Sequence, residues 1–171
     1  MTRPIDGVFF DLDGTLVNTL GDLGGSMNAA LEEADLPVHP QDAYRNFIGH
    51  GVESLVVRAS GGQGDSSRLL ASFLCHYQKR MVRETRPYPG VWKMLSGLRN
   101  RQIPMAVVSN KSHDMTVAIV QRIFAEVPFL EVCGHRKPFP KKPEPDVLWD
   151  VLAKVGIEPE RCLYVGDSDV D

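Results

Sequence analysis

Hydrophobic positions follow three regimes along the chain. The first is a short continuous run, Val8-Phe9-Phe10, that climbs to Asp11-Leu12-Asp13 and breaks at Gly14. A continuous run of β-formers predicts a strand buried on both faces. The second regime, from about 19 to 84, has helical spacing. Leu20, Leu23, Met27, Ala30, Leu31 and Ala34 predict one amphipathic helix, closed by Pro37 and Pro40. Phe47-Ile48-Gly49-His50-Gly51 predicts a turn into a helix through Leu55, Val56 and Ala59. After the glycine-rich loop 61–64, Ser66 or Ser67 is the predicted N-cap of a long helix carrying Leu69, Leu70, Phe73, Leu74, Tyr77 and Met81. No stretch of this block has a strand's pattern.

The third regime begins after Arg86-Pro87-Tyr88-Pro89-Gly90, whose prolines hold the chain extended. Helix 91–101, strand 104–109, helix 116–124, strand 129–133, helix 145–155 and strand 161–166 then alternate. Such alternation predicts a parallel sheet with helices on both faces. The fold class is therefore α/β, a Rossmann-like parallel sheet built from residues 1–17 and 88–171, with an all-helical insertion at 18–87. Trp92 and Trp149 fall within amphipathic helices and are expected in the core.

Composition narrows the function classes. At 171 residues the chain can hold one core and a small insertion. A net charge of −3 gives no electrostatic footprint for nucleic acid. No apolar run approaches a membrane span, and the N-terminus leads straight into the first strand without a signal-peptide core. Cys75, Cys133 and Cys162 are widely spaced, form no metal pattern, and point to a reducing, cytoplasmic setting.

In open parallel sheets, ligands bind outside the carboxyl ends of the strands. Asp11 and Asp13 follow the first strand; two residues apart, they point the same way on an extended chain. Such carboxylates repel unless a cation or proton lies between them. An EF-hand loop also begins Asp-x-Asp, but its sixth and twelfth positions here are Leu16 and Asp22 instead of glycine and glutamate. After the second strand come Ser109, Asn110 and Lys111. Lys141-Lys142-Pro143 lies in the loop after the third, and Gly166-Asp167-Ser168-Asp169-Val170-Asp171 follows the fourth. Carboxylate oxygens without His or Cys favour a hard cation such as Mg²⁺. Ser, Asn and Lys beside them make a cradle for phosphoryl oxygens. The combination points to phosphoryl transfer.

These segments resemble, in order, the four motifs of the haloacid dehalogenase superfamily: Asp11-Leu12-Asp13-Gly14-Thr15, Ser109-Asn110, Lys142-Pro143 and Gly166-Asp167-Ser168 with Asp171. The insertion sits where that family's C1 cap sits, and Ile48-Gly49-His50-Gly51 with Pro87-Tyr88-Pro89-Gly90-Val91 resembles the phosphoglycolate phosphatase subgroup. The resemblance implies a Mg²⁺-dependent phosphatase of small phosphorylated metabolites, monomeric or homodimeric, acting through an aspartyl-phosphate. Asp11 would be the nucleophile and Asp13 the general acid and base. Ser109 and Lys142 would hold the phosphoryl group; Lys142 is preferred to Lys141 because it directly precedes proline, as in the family. Asp11, Asp13 through its carbonyl, Asp167 and Asp171 would serve the metal. Asn110, Thr15 and His50 are candidate substrate contacts, His50 also being readable as a plain turn residue. Asp13 favours phosphate esters over carbon–halogen bonds, because the family's dehalogenases lack that acid. The family continues past the last motif with a helix, a strand and a helix, on the order of 40–50 residues, so the α/β domain is expected to lack its C-terminal part. Two rival readings remain: a phosphomutase of the same superfamily, and a non-catalytic fragment.

Overall fold

Phe9 and Phe10 are completely buried, and the strand that carries them is central in a parallel sheet. The computed structural model describes residues 5–171. Its strands are β1 (Gly7–Phe10), β2 (Val17–Asn18), β3 (Arg86–Pro87), β4 (Met105–Ser112), β5 (Glu131–His135) and β6 (Cys162–Val165). Its α-helices are α1 (Leu20–Glu33), α2 (Val52–Ser60), α3 (Ser66–Arg80), α4 (Val91–Asn100), α5 (His113–Ile123) and α6 (Asp146–Val155). The described chain falls into two units: residues up to Val17 together with Pro87–Asp171, and Asn18–Arg86. Strands β2 and β3 pair with each other as a separate two-stranded sheet.

In the first unit the order is β5-β4-β1-β6, all parallel. Strand alternation sends Phe9, Ala106, Val108 and Cys133 to one face. There they pack with Val147, Val151 and Leu152 of α6 and with Ile157. Helix α5 packs on β4 and β5 and buries Ile119 and Val120. Because β4 and β6 lie on opposite sides of β1, the chain switches direction across the sheet at β1. Its carboxyl end therefore opens a crevice of the kind in which α/β proteins bind ligands.

Several boundaries differ from the pattern-based reading. Strand β4 runs on through Asn110 and Lys111 to Ser112, so these residues belong to the strand and not to a loop after it. Its pairing with β5 keeps register to Ser109↔Gly134 and resumes at Ser112↔His135, with an irregularity between. Strand β5 starts two residues later than expected, leaving Leu130 exposed. Neither tryptophan is core: Trp92 is 46% exposed and Trp149 58%. Trp92 lies against Phe124, with ring centroids 5.1 Å apart, and keeps its other face in solvent. Among the described residues, no helix is long and apolar enough to cross a membrane.

The helical unit holds α1, α2 and α3, with Met27, Leu31, Leu55, Val56, Leu69, Phe73 and Tyr77 buried. The N-cap of α3 is Asp65 and not a serine. Its carboxylate accepts from Ser67 N at 2.9 Å and Arg68 N at 3.2 Å, a stronger charge-assisted cap than a hydroxyl offers. A second carboxylate has a larger part. Asp22, completely buried on α1, accepts from Glu84 N at 3.0 Å, Thr85 N at 2.9 Å and Thr85 Oγ1 at 2.7 Å. It thus satisfies the backbone of the segment that follows α3. Removing it orphans three donors, so Asp22→Ala is expected to lower unfolding free energy by about 3 kcal/mol in a denaturant titration. A loss below about 0.5 kcal/mol would mean that water replaces the carboxylate at no cost.

Candidate active site

The site begins where β1 ends. Asp11 N donates to Val165 O at 2.9 Å, extending the pairing of β1 and β6 by one residue and aiming the Asp11 side chain out of the strand end. The chain then turns tightly: Leu16 N and Val17 N both donate to Leu12 O, and Gly14 N donates to Val17 O at 2.9 Å. Gly14 has φ +91°, and a Cβ there would overlap the Asp167 carboxylate, so the turn demands glycine on both counts.

Asp11 is buried. Lys142 Nζ stands 3.0 Å from Asp11 Oδ1, close enough for an ion pair but outside hydrogen-bond alignment. Asp11 Oδ1 therefore has a cationic neighbour and, among the described residues, no aligned hydrogen bond. Burial raises the Asp11 carboxyl from 3.8 to about 6; the Lys142 charge opposes this, and Asp13 and Asp171 add to it. The lysine is held at several points. Its ammonium pairs with Asp171 Oδ1 and donates to Tyr164 Oη at 2.8 Å, and the side chain is 10% exposed. Its backbone is clasped by the Asn110 carboxamide: Lys142 N donates to Asn110 Oδ1 at 2.7 Å, and Asn110 Nδ2 donates to Lys142 O at 3.1 Å.

Asp171 closes its own loop, its Oδ2 accepting from Asp167 N, Ser168 N and Ser168 Oγ at 2.8–3.1 Å. Gly166 is where this carboxylate folds back, and a Cβ on it would collide with Asp171. Burial works to raise the Asp171 carboxyl, but the hydrogen bond and charge of Lys142, with Ser168, carry it below its ordinary value. Asp167, in contrast, is raised, chiefly by burial and against a hydrogen bond from Thr15. Oxygens of Asp11, Asp167 and Asp171 lie within 4.8 Å of one another. Three carboxylates gathered this closely fit a hard divalent cation that takes oxygen ligands.

The remaining residues are placed as follows. Ser109, buried near the end of β4, accepts from Lys111 N at 3.3 Å. Asp13 Oδ2 accepts from Lys111 Nζ at 2.8 Å. Thr15 Oγ1 donates to Asp167 Oδ1 at 3.0 Å, so its hydroxyl fixes a carboxylate instead of the local backbone. The Asn110 carboxamide likewise bonds the backbone of Lys142, so that Thr15 and Asn110 each hold a neighbouring residue of the cluster. His50 belongs to the helical unit, in the turn before α2.

The sequence places Lys111 among the polar groups after the second strand but gives no sign of its link to Asp13, and Tyr164 carries no functional signal there. Tyr164 reads as a core position of β6, yet its hydroxyl donates to Val108 O at 2.6 Å and so turns a lone pair toward Lys142. Burial, with the charges of Asp11 and Asp171, raises the phenol well above its ordinary value and keeps it neutral.

Comparison with known proteins shows the family of the chain. A match to the family of haloacid dehalogenase-like hydrolases spans residues 8–171. The chain is 32% identical to a phosphoglycolate phosphatase of Mesorhizobium japonicum, over all of this chain and 77% of that protein. It is 34% identical to one of Pasteurella multocida, over 95% and 77% of the two chains. Among solved structures, a Lactobacillus delbrueckii protein proposed to be a phosphoglycolate phosphatase superposes with TM-score 0.92 at 26% identity, covering 99% of this chain and 81% of that one.

Proposed function

Since the chain belongs to the haloacid dehalogenase-like hydrolase family and is a phosphatase, we propose that it hydrolyses a small phosphate monoester of the 2-phosphoglycolate kind through an aspartyl-phosphate on Asp11. The observation that supports this most directly is the Asp11 carboxylate itself. It is buried at a strand end, with the Lys142 ammonium 3.0 Å from its Oδ1. The Lys142 charge favours the ionised, nucleophilic form of the carboxylate, which burial opposes.

In the proposed sequence, Asp11 attacks phosphorus as Asp13 gives a proton to the departing alcohol; Asp13 then takes one from the water that releases phosphate. Ser109 and Lys142 hold phosphoryl oxygens. Asp11, the Asp13 carbonyl, Asp167 and Asp171 would hold Mg²⁺, which supplies positive charge against the phosphate dianion. Thr15 keeps Asp167 turned inward, and Asn110 keeps Lys142 at the phosphoryl site. The helical unit, with His50, is the proposed cap that selects among substrates. The names of the relatives support 2-phosphoglycolate as the substrate to try first.

A screen of phosphate release over 2-phosphoglycolate, sugar phosphates, nucleotides and pyrophosphate tests the reading. Mg²⁺-dependent release, greatest from 2-phosphoglycolate and without need of a bisphosphate, is expected; no release from any monoester with Mg²⁺ present would defeat it. Within this scheme Tyr164→Phe removes the acceptor that orients the Lys142 ammonium while keeping the packed ring. It is expected to lower kcat about tenfold, the worth of one hydrogen bond to a charged group, with KM little changed. An unchanged kcat would show that Asp171 alone places the ammonium.

A further inference from the structure

We propose that Lys111 is the positioning residue for Asp13. It fixes one carboxylate oxygen so that the other, Oδ1, is the atom that exchanges the proton with substrate and water. The proposal rests on the phosphatase reading above and adds a residue and an atom to it.

Lys111 is an unusual residue for its place. Its side chain is 3% exposed, on a strand whose other members are mostly apolar or small. A buried ammonium is costly unless a charge partner meets it. The partner is Asp13, whose side chain is 13% exposed and whose Oδ2 accepts from Lys111 Nζ at 2.8 Å. Asp13 Oδ1 is buried and has no hydrogen-bond partner among the described residues. The two oxygens of one carboxylate are thus sharply unequal. Oδ2 is taken by an ammonium, which has only donors to offer, and a proton carried by Asp13 has its place on Oδ1.

The backbone explains how the lysine gets there. Between Ser109 and Ser112 the β4–β5 register breaks, and irregularities of this kind re-aim side chains beside sites. The segment is pinned on both sides of the break. Lys111 N donates to Ser109 Oγ, and Thr116 Oγ1 donates to Lys111 O, each at 3.3 Å. Gly134 of β5 lies so close that a Cβ on it would stand 2.5 Å from Lys111 O. The ammonium therefore sits on a fixed base, and the carboxylate it grips inherits that placement.

The chemistry then runs as two balanced transfers. As the Asp11 oxygen–phosphorus bond forms and the ester P–O bond breaks, the proton on Asp13 Oδ1 passes to the departing alcohol oxygen. As water oxygen bonds to phosphorus and the Asp11–phosphorus bond breaks, a water proton returns to Oδ1. Lys111 gives up no atom in either transfer and acts through Asp13.

Leaving-group sensitivity separates this role from a structural or substrate-binding one. Phenyl phosphate and p-nitrophenyl phosphate are similar in shape and carry no carboxylate, but phenolate leaves poorly without an acid. With Mg²⁺ saturating, Lys111→Met is expected to lower kcat/KM for phenyl phosphate about a hundredfold, within the range of general acid catalysis, and for p-nitrophenyl phosphate by less than about tenfold. The quantity kcat/KM covers the steps through departure of the alcohol and so reports the acid. Lys111→Arg, which keeps the charge, should recover part of the phenyl phosphate loss and covers the case in which the methionine variant folds poorly. Equal losses on both substrates, in both variants, would overturn the proposal, as would no loss on either. Absence of wild-type release from both esters would instead defeat the phosphatase reading, and this proposal with it.

Discussion

Asp11→Asn should abolish turnover and, in the metal-free protein above pH 6, raise the thermal midpoint. The first effect follows from the carboxylate's proposed role: an amide is a poor nucleophile toward phosphorus, and losses of about 10⁴-fold or more accompany removal of such a group. The second follows from its surroundings. Burial lifts the Asp11 carboxyl from 3.8 to about 6 in the folded chain. Between those values the folded state binds the proton more tightly than the unfolded one, so stability falls as pH rises from about 4 to about 6. Above pH 6 the ionised carboxylate costs the fold roughly 3 kcal/mol by the shift alone. Asparagine cannot ionise and escapes this cost, while its carbonyl oxygen can still face Lys142. The gain in midpoint should therefore be near zero at pH 4 and complete by pH 7. Mg²⁺ added to the wild-type protein should narrow it, because a cation beside Asp11 offsets the same buried charge. Melting curves of both proteins with a chelator and with Mg²⁺, at pH 4 and 7.5, read all three effects. Turnover within tenfold of wild type would refute the nucleophile, and equal metal-free midpoints at both pH values would refute the buried-charge account.

A destabilising carboxylate at a strand end is also what made the site legible in the sequence. Val8-Phe9-Phe10 reads as a doubly buried strand because nothing polar interrupts it, and Asp11 and Asp13 stand out because two acids on one side of a strand have no packing rationale. Lys142 could be told from Lys141 only by its proline, and its contact with Asp11 at 3.0 Å fits that choice. Other features depend on partners far along the chain. Strand β4 continues through Ser109-Asn110-Lys111 because β5 and the Asp13 carboxylate supply partners, where local pattern shows only a polar run. The Tyr164 hydroxyl acquires a role once register sets β6 beside β1 and Val108 O within 2.6 Å. Asp22 lies in the first turn of α1, and the donors it accepts from lie 62 and 63 residues away. The tryptophans erred in the opposite direction: helical periodicity assigned both to the core, but α4 buries chiefly Val91 and Leu95, and α6 buries Val147, Val151 and Leu152.

Lys142→Met should be the second most damaging change to turnover, and its signature should lie in how the protein responds to Mg²⁺. The ammonium touches Asp11, Asp171 and Tyr164 and is the cation that faces the carboxylates of the triad. Methionine fills much of the same volume without charge. It removes both the balance to Asp11 and the proposed phosphoryl contact, for an expected fall in kcat/KM of about 10³-fold. Taking one partner from a buried ion pair leaves the others uncompensated, so the metal-free variant should lose about 3 kcal/mol of stability at pH 7.5. Arginine is no substitute. Its guanidinium is a flat fork, whereas the site gathers oxygens of Asp11, Asp171 and Tyr164 around a single nitrogen, so Lys142→Arg should restore little activity. The carboxylates left behind form a more negative cluster than in the wild-type protein, and a divalent cation should gain by it. The rise in midpoint caused by millimolar Mg²⁺ should therefore be larger in Lys142→Met than in wild type, although the variant hydrolyses almost nothing. If Mg²⁺ raises both midpoints equally, the lysine and the cation do not share one set of carboxylates, and Asp11, Asp167 and Asp171 are not the metal's ligands.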